Sequence, residues 1–272
     1  MKSLTGNTDF MPADIKTAVL IGAGNVAWHL GKALAINNIK IEQVISRTAS
    51  AAKELANQLN AVYIAEPGQI RENADIYIIA VSDDAIGDVL KKLPPTNGLV
   101  VHTSGTTSLS IFEGFCHNYG VMYPLQTFTR NRPVNFCEIP LFIEANTPAN
   151  LEKIKQLGGM VAKEVYPADS ATRAKMHLAA VFACNFTNRM YGIAEEILAS
   201  ENIDFSILHP LIKETALKAL SMQPVEAQTG PAVRGNAQII RRHLEMLNSI
   251  PGLKNIYAIL SDNIQKKYHK AP

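Results

Sequence analysis

A chain of 272 residues, 47% of them hydrophobic, is long enough for two domains and apolar enough to give each a core. The net charge is +2, and its Lys and Arg residues are scattered in doublets such as Lys91-Lys92, Arg241-Arg242 and Lys266-Lys267. Such doublets read as solvated helix faces and argue against a nucleic-acid partner. No apolar run reaches the ~18–20 residues of a membrane span, so the expectation is a soluble, cytoplasmic protein with no membrane partner.

Residues 1 to 13 read as a polar leader that lacks the apolar core of a signal peptide. From Lys16 to about Pro167, short β-rich runs alternate with helix-length segments. "TAVLI" (17–21) leads into a helix over about Val26 to Asn37, and "IEQVIS" (41–46) into the helical "ASAAKELANQL". "AVYIA" (61–65), "ADIYIIAVS" (74–82), "GLVVHT" (98–103), "GVMYPL" (120–125), "IPLFIEA" (139–145) and "MVAKEVYP" (160–167) continue the strand series. Runs apolar on both faces, such as "DIYIIAV", suit parallel strands covered by helices. The alternation therefore predicts a doubly wound, mostly parallel α/β sheet over residues 14–167.

After Pro167 the strand pattern stops. Residues 168–272 read as an all-helical domain with breaks near Asn202, Pro224, Gly230–Gly235 and Pro251–Gly252. Its first helix, "ATRAKMHLAAVFACNFTNRMYGIAEEILAS" (171–200), is apolar nearly all round through its middle. A helix of that kind is normally buried on all sides, and a small domain has little to bury it with. A second copy of the chain would supply the cover, which predicts a homodimer. The three cysteines, Cys116, Cys137 and Cys184, form no CxxC pair, which fits a reducing compartment and predicts no metal site.

Directly after the first strand stands "GAGNVA", with Gly22, Gly24 and, at the third small position, Ala27. The first glycine permits a tight turn, and the second lets backbone amides approach a pyrophosphate. The small third residue lets helix and strand pack closely. Between a strand and a helix this is the dinucleotide-binding signature of a Rossmann sheet. It assigns Gly22, Ala23, Gly24, Asn25 and Val26 to the cofactor. At the end of the second strand such folds place an Asp or Glu on the cofactor's ribose, but this chain has Ser46, Arg47 and Thr48. A guanidinium and two hydroxyls suit a 2′-phosphate, so the cofactor expected is NADP; a surface turn with an incidental Arg is the other reading.

Ligands of doubly wound folds gather beyond the carboxyl ends of the strands. The fourth strand ends in Val81-Ser82-Asp83-Asp84, the fifth in His102-Thr103-Ser104-Gly105-Thr106, and the sixth in Tyr123-Pro124-Leu125-Gln126-Thr127. Val81, Ser82 and His102 are expected near the cofactor, Ser104 among catalytic groups and Gln126 near the substrate. His102, Ser104 and Gln126 read equally well as loop structure. Asp83 and Asp84 read first as a cap for the next helix.

Taken together, "VLIGAGNVAWHL", "HTSGT", "YPLQTF", "HLAAVFACNF" and "GPAVRGN" resemble a family of largely uncharacterised NADP oxidoreductases. Its members pair a Rossmann-like domain with a helical C-terminal domain of unknown function. The architecture is similar to pyrroline-5-carboxylate reductase and 6-phosphogluconate dehydrogenase. The resemblance implies NADP binding, a helical dimerisation domain and a small-molecule substrate between the domains. In the 6-phosphogluconate dehydrogenase relatives a Lys followed four residues later by Asn carries the proton early in the long helix. Here Arg173 and His177 stand at that spacing.

At ~100° per residue, His177, Asn185 and Asn188 fall in one arc of that helix with Arg173 beside it, while Lys175 points nearly opposite. His177 is thus the acid–base candidate, with Asn185 and Asn188 beside it; a buried histidine bonded to a neighbouring helix is the other reading. In "TGPAVRGN", Asn236 reads as an N-cap and Gly235 as a turn residue. Arg234 reads as a substrate contact or a structural ion pair. The leading expectation is an NADP-dependent oxidoreductase moving a hydride to or from a small carbonyl, imine or hydroxy compound. The alternative is a non-catalytic NADP-binding sensor or scaffold.

Overall fold

The computed structural model describes residues 15–269, so the polar leader lies outside the described residues. One eight-stranded sheet, ordered β3-β2-β1-β4-β5-β6-β7-β8, organises the first part of the chain. Its strands are β1 (Thr17–Ile21), β2 (Lys40–Ile45), β3 (Val62–Ile64), β4 (Ile76–Ile79), β5 (Leu99–His102), β6 (Tyr119–Pro124), β7 (Leu141–Ala145) and β8 (Val165–Pro167). Every pairing is parallel except that of β6 with β7. The buried strands are those the sequence marks as apolar on both faces: Ile76, Tyr77, Ile78 and Ile79 of β4 are all fully buried.

Helices α1 (Asn25–Ile36), α2 (Ala49–Gln58), α3 (Ile86–Leu90) and α4 (Pro148–Val161) cover the two faces. Leu30 and Leu34 of α1, Leu55 of α2, and Ile154 and Leu157 of α4 pack with Leu20, Ile76 and Ile78 in one core. Ile86 and Leu90 of α3 pack with Phe112, Val19, Tyr77 and Ile79 in the other. Alternate residues of β1 and β4 thus point to opposite cores, as the pleat requires. "MVAKEVYP" splits between two elements, since Met160 and Val161 end α4 and only Val165–Pro167 is strand.

The 171–200 stretch contains α5 (Ser170–Ala180), a π-helical segment over Val181–Phe186, and α6 (Thr187–Ala199). Two compact units meet in sequence inside the π segment, between Asn185 and Phe186. The second unit holds α6, α7 (His209–Ser221), α8 (Pro224–Ala227), α9 (Ala237–Met246) and α10 (Pro251–Tyr268). Asn236 caps α9 by accepting from the Ile239 amide at 3.2 Å, and Gly235 before it has φ +64°. His243 Nδ1 and Tyr257 Oη, 2.8 Å apart, join α9 to α10. Among the described residues no helix is long and apolar enough to cross a membrane.

Candidate cofactor and substrate pocket

Gly22, straight after β1, has φ +121°, a region costly for any residue with a Cβ. A Cβ there would stand 2.1 Å from the Ala80 carbonyl oxygen, so the turn also needs glycine for space. The Gly22 amide donates to Ile45 O at 2.8 Å and the Ala80 amide to Ile21 O at 2.8 Å, drawing the ends of β1, β2 and β4 together around the turn. Gly24 is the N-cap of α1 and supplies no side-chain cap. Its missing Cβ would meet nothing within 4 Å. The first amides of α1 are therefore uncapped, and Gly24, Asn25 and Val26 line a cavity of about 900 Å³. Such a helix end favours a phosphate.

The same cavity is lined by Ser46, Arg47 and Thr48. Arg47 is exposed and forms no ion pair among the described residues. Ser46 Oγ accepts from the Thr48 amide at 3.3 Å, and Thr48 begins α2 without capping it. This edge carries a fixed positive charge, two hydroxyls and a helix N-terminus, with no carboxylate from Ser46, Arg47 or Thr48. A dianionic group fits it. The residues present therefore suit a phosphorylated dinucleotide.

At the strand ends Val81, Ser82, Asp83, Ser104, Gly105, Tyr123, Gln126 and His177 line the cavity. Tyr123 Oη and His177 Nδ1 are 3.2 Å apart, a hydrogen bond between the end of β6 and α5. Gly105 makes room for it: a Cβ there would come within 2.7 Å of the Tyr123 ring and 2.9 Å of His177 Nδ1. Burial pushes the Tyr123 phenol above its usual pKa, the Asp83 carboxylate adds to this, and the Arg173 guanidinium opposes both. The phenol thus keeps its proton at neutral pH. The Thr106 hydroxyl donates to Asp83. Asp83 and Asp84 sit in the first turn of the short 3₁₀ segment after Ser82 without capping it by side chain.

Several expected residues have other work. His102 is fully buried, stacks on Phe112 at 5.4 Å, accepts from the Ser104 amide at Nδ1, and does not line the cavity. Burial lowers its pKa to about 4, helped by the Arg173 charge and opposed by Asp83. Its side chain belongs to the core because β5 is apolar on both faces, so the strand's last residue is covered too. Asn25 lines the cavity, and its side-chain NH₂ donates to Phe128 O at 2.8 Å. Ser104 Oγ accepts from the amides of Thr106 and Thr107 at 3.1 and 2.9 Å and so folds its own loop at the cavity wall. Gln126 Oε1 accepts from the Thr127 amide at 2.8 Å, leaving its NH₂ group at the lining.

Arg173 is fully buried and clamps Glu144 and Thr107 O, each at 2.5 Å, so it is a tie between α5, β7 and the 102–107 loop. Lys175 is exposed. The π segment corrects the helical arc. A π turn bonds i to i+5, so residues beyond it are rotated back by up to about 100°. Asn185 and Asn188 therefore do not keep the phase with His177 that a uniform α-helix gives them. Both are exposed, Asn185 as the last residue of the first unit and Asn188 in the second. Arg234 is exposed in the second unit and has no carboxylate partner among the described residues. Tyr123, named in the sequence only as part of the sixth strand's end, is the residue there that meets His177, and β6 continues past it through Pro124, which pairs with Leu141.

Two family models match the chain: an NADP oxidoreductase, coenzyme F420-dependent, over residues 16–104, and a domain of unknown function, DUF2520, over residues 139–264. A comparison with curated protein sequences gives no match. Among solved structures, a protein from Bacteroides fragilis described as a putative NADP oxidoreductase is 41% identical over 93% of this chain and 98% of its own, with a TM-score of 0.89. An imine reductase from Myxococcus stipitatus in complex with NADP⁺ is 16% identical over 94% of this chain and 93% of its own, with a TM-score of 0.62. A reductive aminase from Aspergillus terreus, solved with cyclohexanone and allyl amine, is 13% identical over 94% and 95%, with a TM-score of 0.67. The last two show the shared fold. By its identity to the Bacteroides fragilis protein along nearly the whole length of both, the chain belongs to the family of NADP oxidoreductases that joins a Rossmann domain to a helical C-terminal domain of unknown function.

Proposed function

We propose that this protein is an NADP-dependent oxidoreductase acting on a small carbonyl, imine or hydroxy compound held at the Tyr123–His177 end of the pocket. The observation that carries this is the continuity of one cavity, lined at one edge by Arg47, in its middle by Gly22 and Gly24, and at its far end by Tyr123 and His177. Arg47, Ser46 and Thr48 would hold the 2′-phosphate, and the uncapped amides of α1 the pyrophosphate. Val81 and Ser82 would flank the cofactor between them. Bound NADP supplies or accepts the hydride at its nicotinamide. His177, hydrogen-bonded to the Tyr123 phenol, is the group that gives or takes the proton, and Gln126 offers an NH₂ to a substrate oxygen. The substrate classes in the names of the imine reductase and the reductive aminase fit this scope.

The test is consumption of NADPH across a panel of small ketones, aldehydes and cyclic imines. Turnover on any of them supports the reading. NADP binding without turnover on any would instead favour a sensor or scaffold.

We infer also that the protein works as a homodimer through its helical unit. Helices α6, α7 and α9 contain no buried residue, while Ile197, Leu211, Leu217 and Leu220 are 43%, 62%, 49% and 85% exposed. Covering such side chains is worth ~1.5–3 kcal/mol each, and a second copy offers the matching surface. A light-scattering mass of one chain would overturn this.

A further inference from the structure

We propose that the substrate end of the pocket selects a cation, a protonated amine or iminium, over an anion, and that Asp83 sets this preference. This rests on the oxidoreductase reading of the same pocket and names the substrate class within it.

The ionisable side chains lining the cavity are Arg47, Asp83, Asp88, Lys92 and His177, together with the phenol of Tyr123. They are segregated. Arg47 stands at the β2 edge beside Ser46 and Thr48. Asp88 and Lys92 lie at α3, where Asp88 is already paired with Lys91 at 3.2 Å. Asp83 belongs to the opposite end, because its charge acts on the Tyr123 phenol and the Thr106 hydroxyl donates to it. That bond engages Oδ2 and leaves Oδ1 without a hydrogen-bond partner among the described residues. The nearby cation, Arg173, is fully buried, spent on Glu144, and does not line the cavity.

A small substrate between Tyr123 and His177 therefore meets one carboxylate with a free oxygen and no side chain of fixed positive charge in the first unit. An anionic substrate would face that carboxylate uncompensated. A cationic nitrogen would take a charge-assisted hydrogen bond to Oδ1, a contact stronger than its neutral counterpart. The Thr106 hydroxyl holds the carboxylate in place beforehand, which spares the ordering cost on binding.

Three rings of one shape separate the charges: pyrrolidine, a cation at pH 7; tetrahydrofuran, its uncharged counterpart; and proline, which adds a carboxylate. Calorimetry on the full chain saturated with NADPH is expected to show pyrrolidine binding at least about tenfold tighter than tetrahydrofuran or proline. Asp83→Asn should bring pyrrolidine down to the level of tetrahydrofuran, while Asp83→Glu keeps part of the preference. Equal binding of the three rings in the unmodified protein, a preference for proline, or a pyrrolidine preference that survives Asp83→Asn overturns the proposal. So does a change confined to the ratio of NADP⁺ to NADPH affinity, which would assign Asp83 to the charge of the oxidised nicotinamide. Should Asp83→Asn fail to fold, the ring comparison in the unmodified protein decides, and added salt must erode the pyrrolidine preference. Because these are binding readouts, they stand apart from turnover: an NADPH panel without turnover would remove the oxidoreductase reading and leave the ring comparison to decide the charge preference.

Discussion

Arg130 braces the glycine turn from outside: its Nη2 donates to the Ala23 carbonyl at 2.9 Å, although the two residues stand 107 positions apart in the chain. Its Nη1 pairs with Glu54 of α2 at 2.7 Å, and its guanidinium lies 4.6 Å over the Trp28 ring of α1. The loop that carries Arg130 also accepts from Asn25 at Phe128 O and meets His29 at Thr129 O, 3.1 Å away. The turn is thus held in its binding shape by contacts that leave its pocket side open.

Arg130→Ala should accordingly weaken NADP without any loss of a direct contact. Removing one such hydrogen bond at a partly exposed site costs about 1 kcal/mol, which is roughly fivefold in Kd. Calorimetric titration measures it. An unchanged Kd would mean that the turn holds its shape unaided.

Arg47→Ala should separate the two nicotinamide cofactors. Only NADP carries the 2′-phosphate, and a charge-assisted contact is worth ~1.5–3 kcal/mol, so NADP affinity should fall by roughly 10- to 100-fold while NAD affinity stays nearly constant. Parallel titrations of both cofactors read this directly. Equal losses would mean that the phosphate lies elsewhere.

Arg173→Met should unfold the protein more readily. The guanidinium is fully buried against Glu144, and breaking a buried pair from one side costs ~3–5 kcal/mol because the other charge is stranded. Pairing it with Glu144→Gln should recover part of the loss. The melting temperatures of the single and double variants check both statements.

Stability should fall with pH in a window set by His102. Its folded-state pKa is about 4, below the ordinary value of ~6.5, so the folded state binds its proton later than the unfolded state does. The associated stability is complete above pH ~6.5 and is lost progressively as pH falls toward 4, by an amount on the order of 3 kcal/mol. His102→Gln, which cannot take up that proton, should show a shallower decline of melting temperature over this window. Parallel curves for the two proteins would assign the loss to other groups.

What the sequence disclosed and what it hid follow from the range of the forces involved. Strand order along the chain and the Gly22–Gly24 turn are local: period, length and the need for φ +121° beside the Ala80 carbonyl leave marks within a few residues. The antiparallel pairing of β7 with β6 left none, because "IPLFIEA" is apolar enough to sit in either direction. His102 looked available because a strand-end histidine can face a ligand or a core, and the choice is made by Phe112, ten positions on and packed beneath it. The role of Arg173 depends on Glu144, 29 positions earlier, and spacing from His177 could not reveal it. Positions 185 and 188 were misphased because a constant 100° step has no means of anticipating the π turns at 181–186. The Tyr123–His177 contact joins residues 54 apart, so each could be noticed but not the pair.

That pair supports the last prediction. His177→Asn should leave melting temperature and NADP affinity close to those of the unmodified protein while lowering turnover by ~10²–10⁴, the usual contribution of a positioned acid or base. Tyr123→Phe removes one oxygen from a residue only 9% exposed and strands the Nδ1 of His177 without its partner at 3.2 Å. If the phenol works through the imidazole, turnover should fall less than for His177→Asn, and the double variant should be no slower than His177→Asn alone, because residues that act as one unit are not additive. Additive losses would mean that the two groups reach the substrate independently, with Tyr123 as a proton donor in its own right. A His177→Asn protein that melts earlier yet turns over at the original rate would make the contact a packing feature, a tie holding α5 against the end of β6.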